Sequence, residues 1–325
     1  MLLNHRWFLR VLLGSATLGL GQIALAQDFP SRPIKLLIGY PPGGVPDTVG
    51  RAVAPVLQSL LGQPFIVENR PGAGGLTAVQ EVLRSPADGY TLLSADSAQW
   101  AILPALRPGT YDPEKAFAPV AMVTTNSVYI TVRSSLGVKS LQEFIALMKS
   151  KPGAFSYGSS GNGSVHHLFM ESFKAAAGLD IQHVPYKGSV QQVQALLAGD
   201  IPIGIAGGTA TAAYVKSGQM RLLLTSTRER SKLTPDVPAM GDISLPELDF
   251  AGSVGYLAPA GTPRSAIERL TAAIAKAVHQ PELMQRFESV GVESFYKTPE
   301  QYAEIIRADV PRYVKAVKIS GAKVD

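Results

Sequence analysis

Two glycine-rich stretches, each set between an apolar run and a helical pattern, hold the residues best placed to do chemistry. In the first, the apolar run Ile34–Ile38 enters Gly39-Tyr40-Pro41-Pro42-Gly43-Gly44-Val45-Pro46-Asp47. A strand feeding a Gly-rich turn and then a helix presents free backbone N–H groups to an anion. No lysine follows the glycines, so the turn is not built like a phosphate-gripping loop. It suits a small, soft anion such as a carboxylate. Tyr40, Gly43, Gly44, Val45 and Asp47 are the candidate contacts. Asp47 also reads as the N-cap of the helix that follows, worth about 1 kcal/mol. The second stretch, Gly158-Ser159-Ser160-Gly161-Asn162-Gly163-Ser164, precedes a helical pattern over Val165–Ala177. Its glycines allow close backbone approach and its hydroxyls add neutral donors. The N–H groups of Gly163, Ser164 and Val165 are expected to point along the helix axis toward an anion. Ser160, Asn162, Gly163 and Ser164 are the candidates here. If the two loops face each other, they grip a dicarboxylate at both ends with neutral donors instead of an arginine clamp. Both also read as plain strand-to-helix turns.

Other chemistries fare worse. Ser160, His167 and Asp180 supply the residue types of a serine hydrolase, but Gly158-Ser159-Ser160-Gly161 is one residue short of a nucleophile elbow. His166 and His167 point about 100° apart on a helix and cannot chelate one metal. Arg70-Pro71-Gly72-Ala73-Gly74-Gly75 lacks dinucleotide-fingerprint spacing. With no cysteine in the chain, disulfides, zinc–thiolate sites and thiol nucleophiles are excluded. No metal and no cofactor is expected.

The elements that position these loops alternate strand and helix, which implies α/β structure with mainly parallel sheet. Residues 1–26 stand apart: His5, Arg6 and Arg10 precede an apolar run that ends in Ala24-Leu25-Ala26. This is a signal-peptide pattern, with cleavage expected after Ala26 and the product exported. The remaining 28 Lys and Arg against 25 Asp and Glu leave a balance of +3, with the basic residues scattered. Nucleic acid is therefore not an expected partner. The roughly 300 residues beyond the leader can build a large core, most naturally as two domains. Val49, Ala52, Val53, Val56, Leu57 and Leu60 lie at helical spacing, with Gly62 as the stop. Val120–Val123 and Val128–Val132 are β runs, and the polar Thr124–Ser127 between them reads as a crossing between domains. Ser140 and Glu143 read as a capping box, and Thr262-Pro263 and Thr298-Pro299 as helix starts. The C-terminal third is expected to be helical and packed on the first domain. The division expected is 27–126 with 252–325 as a split domain, and 127–251 inserted in it, with a ligand cleft between.

Seven ordered blocks carry a resemblance that spans nearly all of the chain beyond the leader: PSRPIKLLIGYPPGG with Asp47, VENRPGAGG, ADGYTLL, YDPEKAFAPV, YGSSGNGS, HVPYKGS and LAPAGTP. In these the chain resembles the periplasmic solute-binding proteins of tripartite tricarboxylate transporters, the Bug family. The resemblance implies a type II periplasmic-binding-protein-like fold, two α/β domains closing like a Venus flytrap. It implies a monomeric, non-catalytic periplasmic receptor that delivers a small organic acid to the transporter's membrane subunits. It also implies ligand contacts in the Gly43–Asp47 region, partly through water, and in Ser159–Ser164. Three departures bear on the ligand. Ala206-Gly207-Gly208-Thr209 lacks the acidic or amide residue common in relatives, leaving Gly207 and Gly208. Pro46 stiffens the first loop. Asp96, beside Ser97, is acidic where small neutral residues are usual. Facing the cleft, Asp96 would welcome an ammonium or protonated ring nitrogen; facing outward, it is a loop solvator or helix cap. Trp100, one turn on, reads as a core residue or as a stacking surface for an aromatic acid. The ligand thus stays open among mono- and dicarboxylic, aromatic and zwitterionic acids. A role as a sensor presenting its ligand to a signalling partner, and an exported hydrolase using Ser160 and His167, are the alternatives.

Overall fold

The structure is a computed structural model that describes residues 29–245 and 247–323; the expected leader lies outside them. Eleven strands form two sheets among the described residues: β1 (Ile34–Ile38), β2 (Phe65–Asn69), β3 (Thr91–Ala95), β4 (Phe117–Asn126), β5 (Val128–Arg133), β6 (Ser156–Ser159), β7 (Gln182–Pro185), β8 (Ile203–Gly207), β9 (Met220–Thr225), β10 (Gly252–Pro259) and β11 (Glu293–Lys297). The first sheet runs β11-β4-β10-β3-β1-β2 and the second β7-β6-β8-β5-β9. Each contains a parallel trio, β2-β1-β3 and β7-β6-β8, extended by antiparallel strands.

Strand β1 shows why the apolar run lands centrally. Leu36 and Leu37 are both fully buried but belong to cores on opposite faces of the sheet. A parallel strand covered on both sides needs such a continuous apolar run. The helix Val45–Leu61 covers one face together with Arg264–Val278 and Pro281–Ser289. It ends at Gly62, which takes the left-handed conformation (φ 73°) and donates its N–H to the Gln58 carbonyl. Leu76–Arg84 and the long helix Pro299–Ser320 cover the other face.

The structure corrects several local expectations. The polar break between β4 and β5 shrinks to Ser127, because Thr124 and Thr125 pair with β10 and β11. Thr262 does not cap the helix Arg264–Val278; its hydroxyl donates to the Pro259 carbonyl, and Pro263 is the N-cap residue. Thr298 does cap, in a reciprocal box with Gln301. At Ser140 only half of the box forms, since the Glu143 carboxylate accepts from Lys139 N–H instead. Pro299–Ser320 packs on the first sheet and equally on the helix Val165–Ala177 beside the second, so the C-terminal region joins both.

The chain passes between the sheets at Ser127 and returns at Ala251. Both crossings are tied to the fully buried Ser226. Its N–H donates to the Val128 carbonyl at 2.7 Å, and its hydroxyl accepts from Val128 N–H at 3.3 Å. The same hydroxyl donates to the Phe250 carbonyl at 3.0 Å, and the Ser226 carbonyl accepts from Phe250 N–H at 2.8 Å. Ser226→Ala removes the hydroxyl and strands a buried donor and acceptor, for an expected loss of about 1–3 kcal/mol. A urea midpoint unchanged from wild type would contradict this role.

Candidate functional site

From β1 the chain goes out to β2 and then returns across β1 to β3, so β1 and β3 diverge in connection at their carboxyl ends. The second sheet repeats this: β6 leads to β7, and β8 lies on the other side of β6. Such reversals leave a crevice outside the strand ends, where α/β proteins bind ligands. The sequence candidates sit at these ends. Tyr40, Gly43, Gly44 and Val45 follow β1, Asp96 and Ser97 follow β3, Ser160 to Ser164 follow β6, and Gly207 ends β8 with Gly208 opening the next helix. The second loop touches the other half of the chain: a methyl group on Gly163 would stand 3.0 Å from Leu106, and Asn162 Nδ2 donates to the Lys323 carbonyl.

In the first crevice Gly43 is exposed and Gly44 and Val45 half-buried, at the start of Val45–Leu61. Asp47 is not the N-cap of this helix. Pro46, with its preset φ, brings the helix start forward, so that Gly44 takes the cap position and Asp47 falls in the first turn. Asp47 is buried and reaches back to Gly43 N–H at 2.9 Å, while Arg51 Nε and Asn69 Nδ2 also donate to it. Burial pushes its carboxyl up, but the bonds from Arg51, Gly43 and Asn69 outweigh this and hold it below the ordinary value. Asn69 also donates to the Tyr40 carbonyl, so Asp47 shapes the loop from beneath. The Arg70–Gly75 turn packs under the same loop: a Cβ on Gly39 would lie 2.7 Å from Gly75 Cα.

Beside it lies a chain of polar side chains. Asp96 N–H donates to Gln99 Oε1 at 2.8 Å, which fixes the amide so that Gln99 Nε2 donates to Tyr40 Oη at 3.1 Å. The Tyr40 hydroxyl must then give its own proton to Asp96 Oδ1, 3.0 Å away. Ala98 N–H donates to the same oxygen at 2.8 Å, so Asp96 caps its own turn while it accepts from Tyr40. Burial pushes the Asp96 carboxyl up to about 6, against the downward pull of Ala98 N–H and the Tyr40 hydroxyl. Ser97 is buried. Trp100 is a core residue: it is buried against Tyr302 and donates to Asp309 Oδ2 at 2.8 Å.

The second crevice departs from expectation in its donors. Gly163 N–H points to His167 Nδ1 at 3.2 Å, and Ser164 N–H to the Gly161 carbonyl at 3.2 Å. Neither is aimed along the helix axis, because the acceptors lie within the loop itself and one turn into the helix. The Ser164 side chain caps the helix, accepting from His167 N–H, and donates to Gly161 O. Ser160 is half-buried and Asn162 exposed. Val165 remains among the first-turn N–H groups that a helix cannot satisfy internally.

Beneath the loop is a stack not foreseen in the sequence. His167 lies flat on His183 (centroids 3.9 Å, 8° between planes), and His183 stacks on Tyr157 at 5.0 Å. Ser159 Oγ and His183 Nε2 are 2.7 Å apart, and the Tyr157 hydroxyl donates to Glu171, which Lys174 also bonds. The hydrolase set is not assembled. His167 Nδ1 is taken by Gly163 N–H, and Asp180 lies at the opposite end of the β6–β7 pair from Ser160, about 20 Å along the sheet. Gln99 was signalled only by its spacing of three from Asp96, and His183 by its place in the HVPYKGS block; nothing local linked either to its partner. Among the described residues no group of three His, Cys, Asp or Glu could hold a metal ion.

Comparison with known proteins agrees with this architecture. Residues 49–321 match the model of the tripartite tricarboxylate transporter family receptor. Protein BugT of Bordetella pertussis is 34% identical, covering 95% of each chain. The structure of R. palustris Rpa4515 with adipate has a TM-score of 0.79 at 29% identity, covering 91% of this chain and 99% of that one. MatC (Rpa3494) from Rhodopseudomonas palustris with bound malate has 0.75 at 28%, covering 89% and all of its length. The chain belongs to the tripartite tricarboxylate transporter receptor family, with its two-domain binding-protein fold.

The histidine stack predicts an acid sensitivity. Burial, with His167 beside it, pushes the His183 imidazole down to about 4, and burial lowers His167 as well. His183 stays neutral in the fold while the unfolded chain takes up protons below about 6.5, so its stabilising effect is lost as pH falls from there toward 4, and the lowered His167 acts in the same direction. The gap in melting temperature between wild type and His183→Gln should therefore narrow from pH 7 to 4.5. Asp96 contributes equally to both proteins and cancels. A constant or widening gap would refute the neutral stack.

Proposed function

We propose that this receptor captures a small organic carboxylate between its two crevices in the periplasm and delivers it to the membrane subunits of a tripartite tricarboxylate-type transporter. The observation that supports the reading is a topological reversal in each sheet, each opening onto Gly-rich loops and helix starts at the strand ends; the reading sets the two against each other across one cleft. Backbone N–H groups near Gly44 and Val45, the helix start at Gly207 and Gly208, and hydroxyls such as Ser160 supply neutral donors for carboxylate oxygens. Bridging water extends their reach at little loss of strength. The adipate and malate named in two related structures support the ligand class.

In this reading the leader is removed after Ala26, and 127–251 form a domain inserted between 27–126 and 252–325. The two domains rotate about the crossings at Ser127 and Ala251, trapping the ligand by hinge closure. The protein acts as a monomeric receptor without catalysis of its own. A thermal-shift screen of ligand-stripped protein against organic acids tests the class. A ligand at 100 times its dissociation constant should stabilise the fold by roughly 2.7 kcal/mol, raising the melting temperature by a few degrees. No shift with any acid, confirmed by calorimetry, would withdraw the carboxylate reading. Loss of acid uptake on deletion of the gene supports delivery to a transporter, and unchanged uptake counts against it.

A further inference from the structure

We infer that Asp96 selects ligands carrying a cationic nitrogen beside their carboxylate, so that the preferred substrates are amino-carboxylates rather than simple acids. This rests on the receptor reading and sharpens it. The Gln99–Tyr40–Asp96 chain has only one consistent direction of donation, ending on Asp96 Oδ1, where Ala98 N–H adds a second donor. Donors aimed at a carboxylate favour its charged form and hold it in place. Among the described residues no bond is drawn to Oδ2, and no Lys, Arg or His forms an ion pair with Asp96. Tyr40 after β1 bonds it, and its charge helps hold the hydroxyls of Tyr111, beyond the following helix, and of Tyr302 and Tyr313, on the long C-terminal helix, in their protonated form.

Charged groups withdrawn from water are held stably only when paired. Elsewhere in this crevice the chain follows that rule, since Asp47 is matched by Arg51. At Asp96 it supplies the negative charge, the donors that orient it and the crevice, but no cation. A ligand ammonium or protonated ring nitrogen completes the pair, while the neutral donors of the neighbouring loops hold its carboxylate. A ligand with a second carboxylate at this point meets like charge and is disfavoured.

The test is calorimetric titration of stripped wild type and Asp96→Asn with matched pairs: glutamate against glutarate, and 2-aminoadipate against adipate. In wild type the amino acid of at least one pair should bind roughly tenfold or more tightly than its desamino partner. Asp96→Asn should erase that preference and leave the simple diacid bound equally or better. The wild-type preference should also weaken as pH falls below 6, where the carboxylate is neutralised, and Asp96→Asn should show no such change. If Asp96→Asn does not fold, Asp96→Ser and the wild-type pH series decide the matter. Diacids binding as well as amino acids in wild type, or a preference that survives both substitutions, would overturn the inference and leave the receptor reading intact. Failure of every acid, with or without nitrogen, would overturn the receptor reading itself.

Discussion

One buried serine fixes how the two halves of this molecule stand to each other. Ser226 uses its N–H, its carbonyl and both functions of its hydroxyl to join the start of β5 to the segment that returns to β10. The outward crossing has no length to spare, since Ser127 alone separates β4 from β5; the return is longer, from the end of β9 at Thr225 to the start of β10 at Gly252, and is pinned near its end at Phe250. In the proposed closure, crossings pinned to one point favour rotation about that point. The proposed closure depends on it, because it needs the strand ends of the two sheets held face to face. The helix Pro299–Ser320 adds a second connection, and it packs on both sides by apolar contact. Apolar contact is non-directional and tolerates small sliding better than a hydrogen-bond network does.

The side chains of Asp47 and Asp96, withdrawn from water beyond the ends of β1 and β3, are both carboxylates. Asp47 is neutralised by Arg51 and spent on holding the Gly43 turn, so it adds order rather than charge. Under the proposed function, the capacity to hold an anion falls to oriented backbone dipoles, which need no desolvated cation. On the opposite side, several donors that a loop of this composition could offer are committed inward. Gly163 and Ser164 N–H groups and the Ser164 hydroxyl stabilise the loop and the histidine stack. The loop is thus rigid before any ligand arrives, and preorganisation of this kind lowers the entropic cost of binding.

Much of this was legible in the sequence. Apolar runs marked the strands, Gly62 and Thr298-Pro299 marked helix ends, and the Gly-rich blocks fell at the strand ends where the sheets reverse order. What the sequence hid were contacts set by tertiary geometry. Asp47 looked like a cap because Asp before an apolar-periodic helix usually is one, yet Pro46 moved the helix start and turned the carboxylate inward. Gly163 looked like a donor to an anion until His167, four residues on, supplied a nearer acceptor. His183 and His167 lie on different elements, and no spacing rule brings them face to face. Asp96 was read as either facing the cleft or capping a turn, and in the fold its Oδ1 caps the turn and also accepts from the Tyr40 hydroxyl.

Trp100 has a consequence of an optical kind. It is the single indole among the described residues, sealed from solvent, with its N–H on Asp309 and its ring edge-on to Tyr302. It stands on the turn that Asp96 begins, and its partners stand on the helix that touches both halves. Any movement of that helix against the turn alters the polarity and quenching around one fluorophore. The emission of Trp100 is therefore an intrinsic probe of that contact, with no dye to attach and no second tryptophan among the described residues to share the signal.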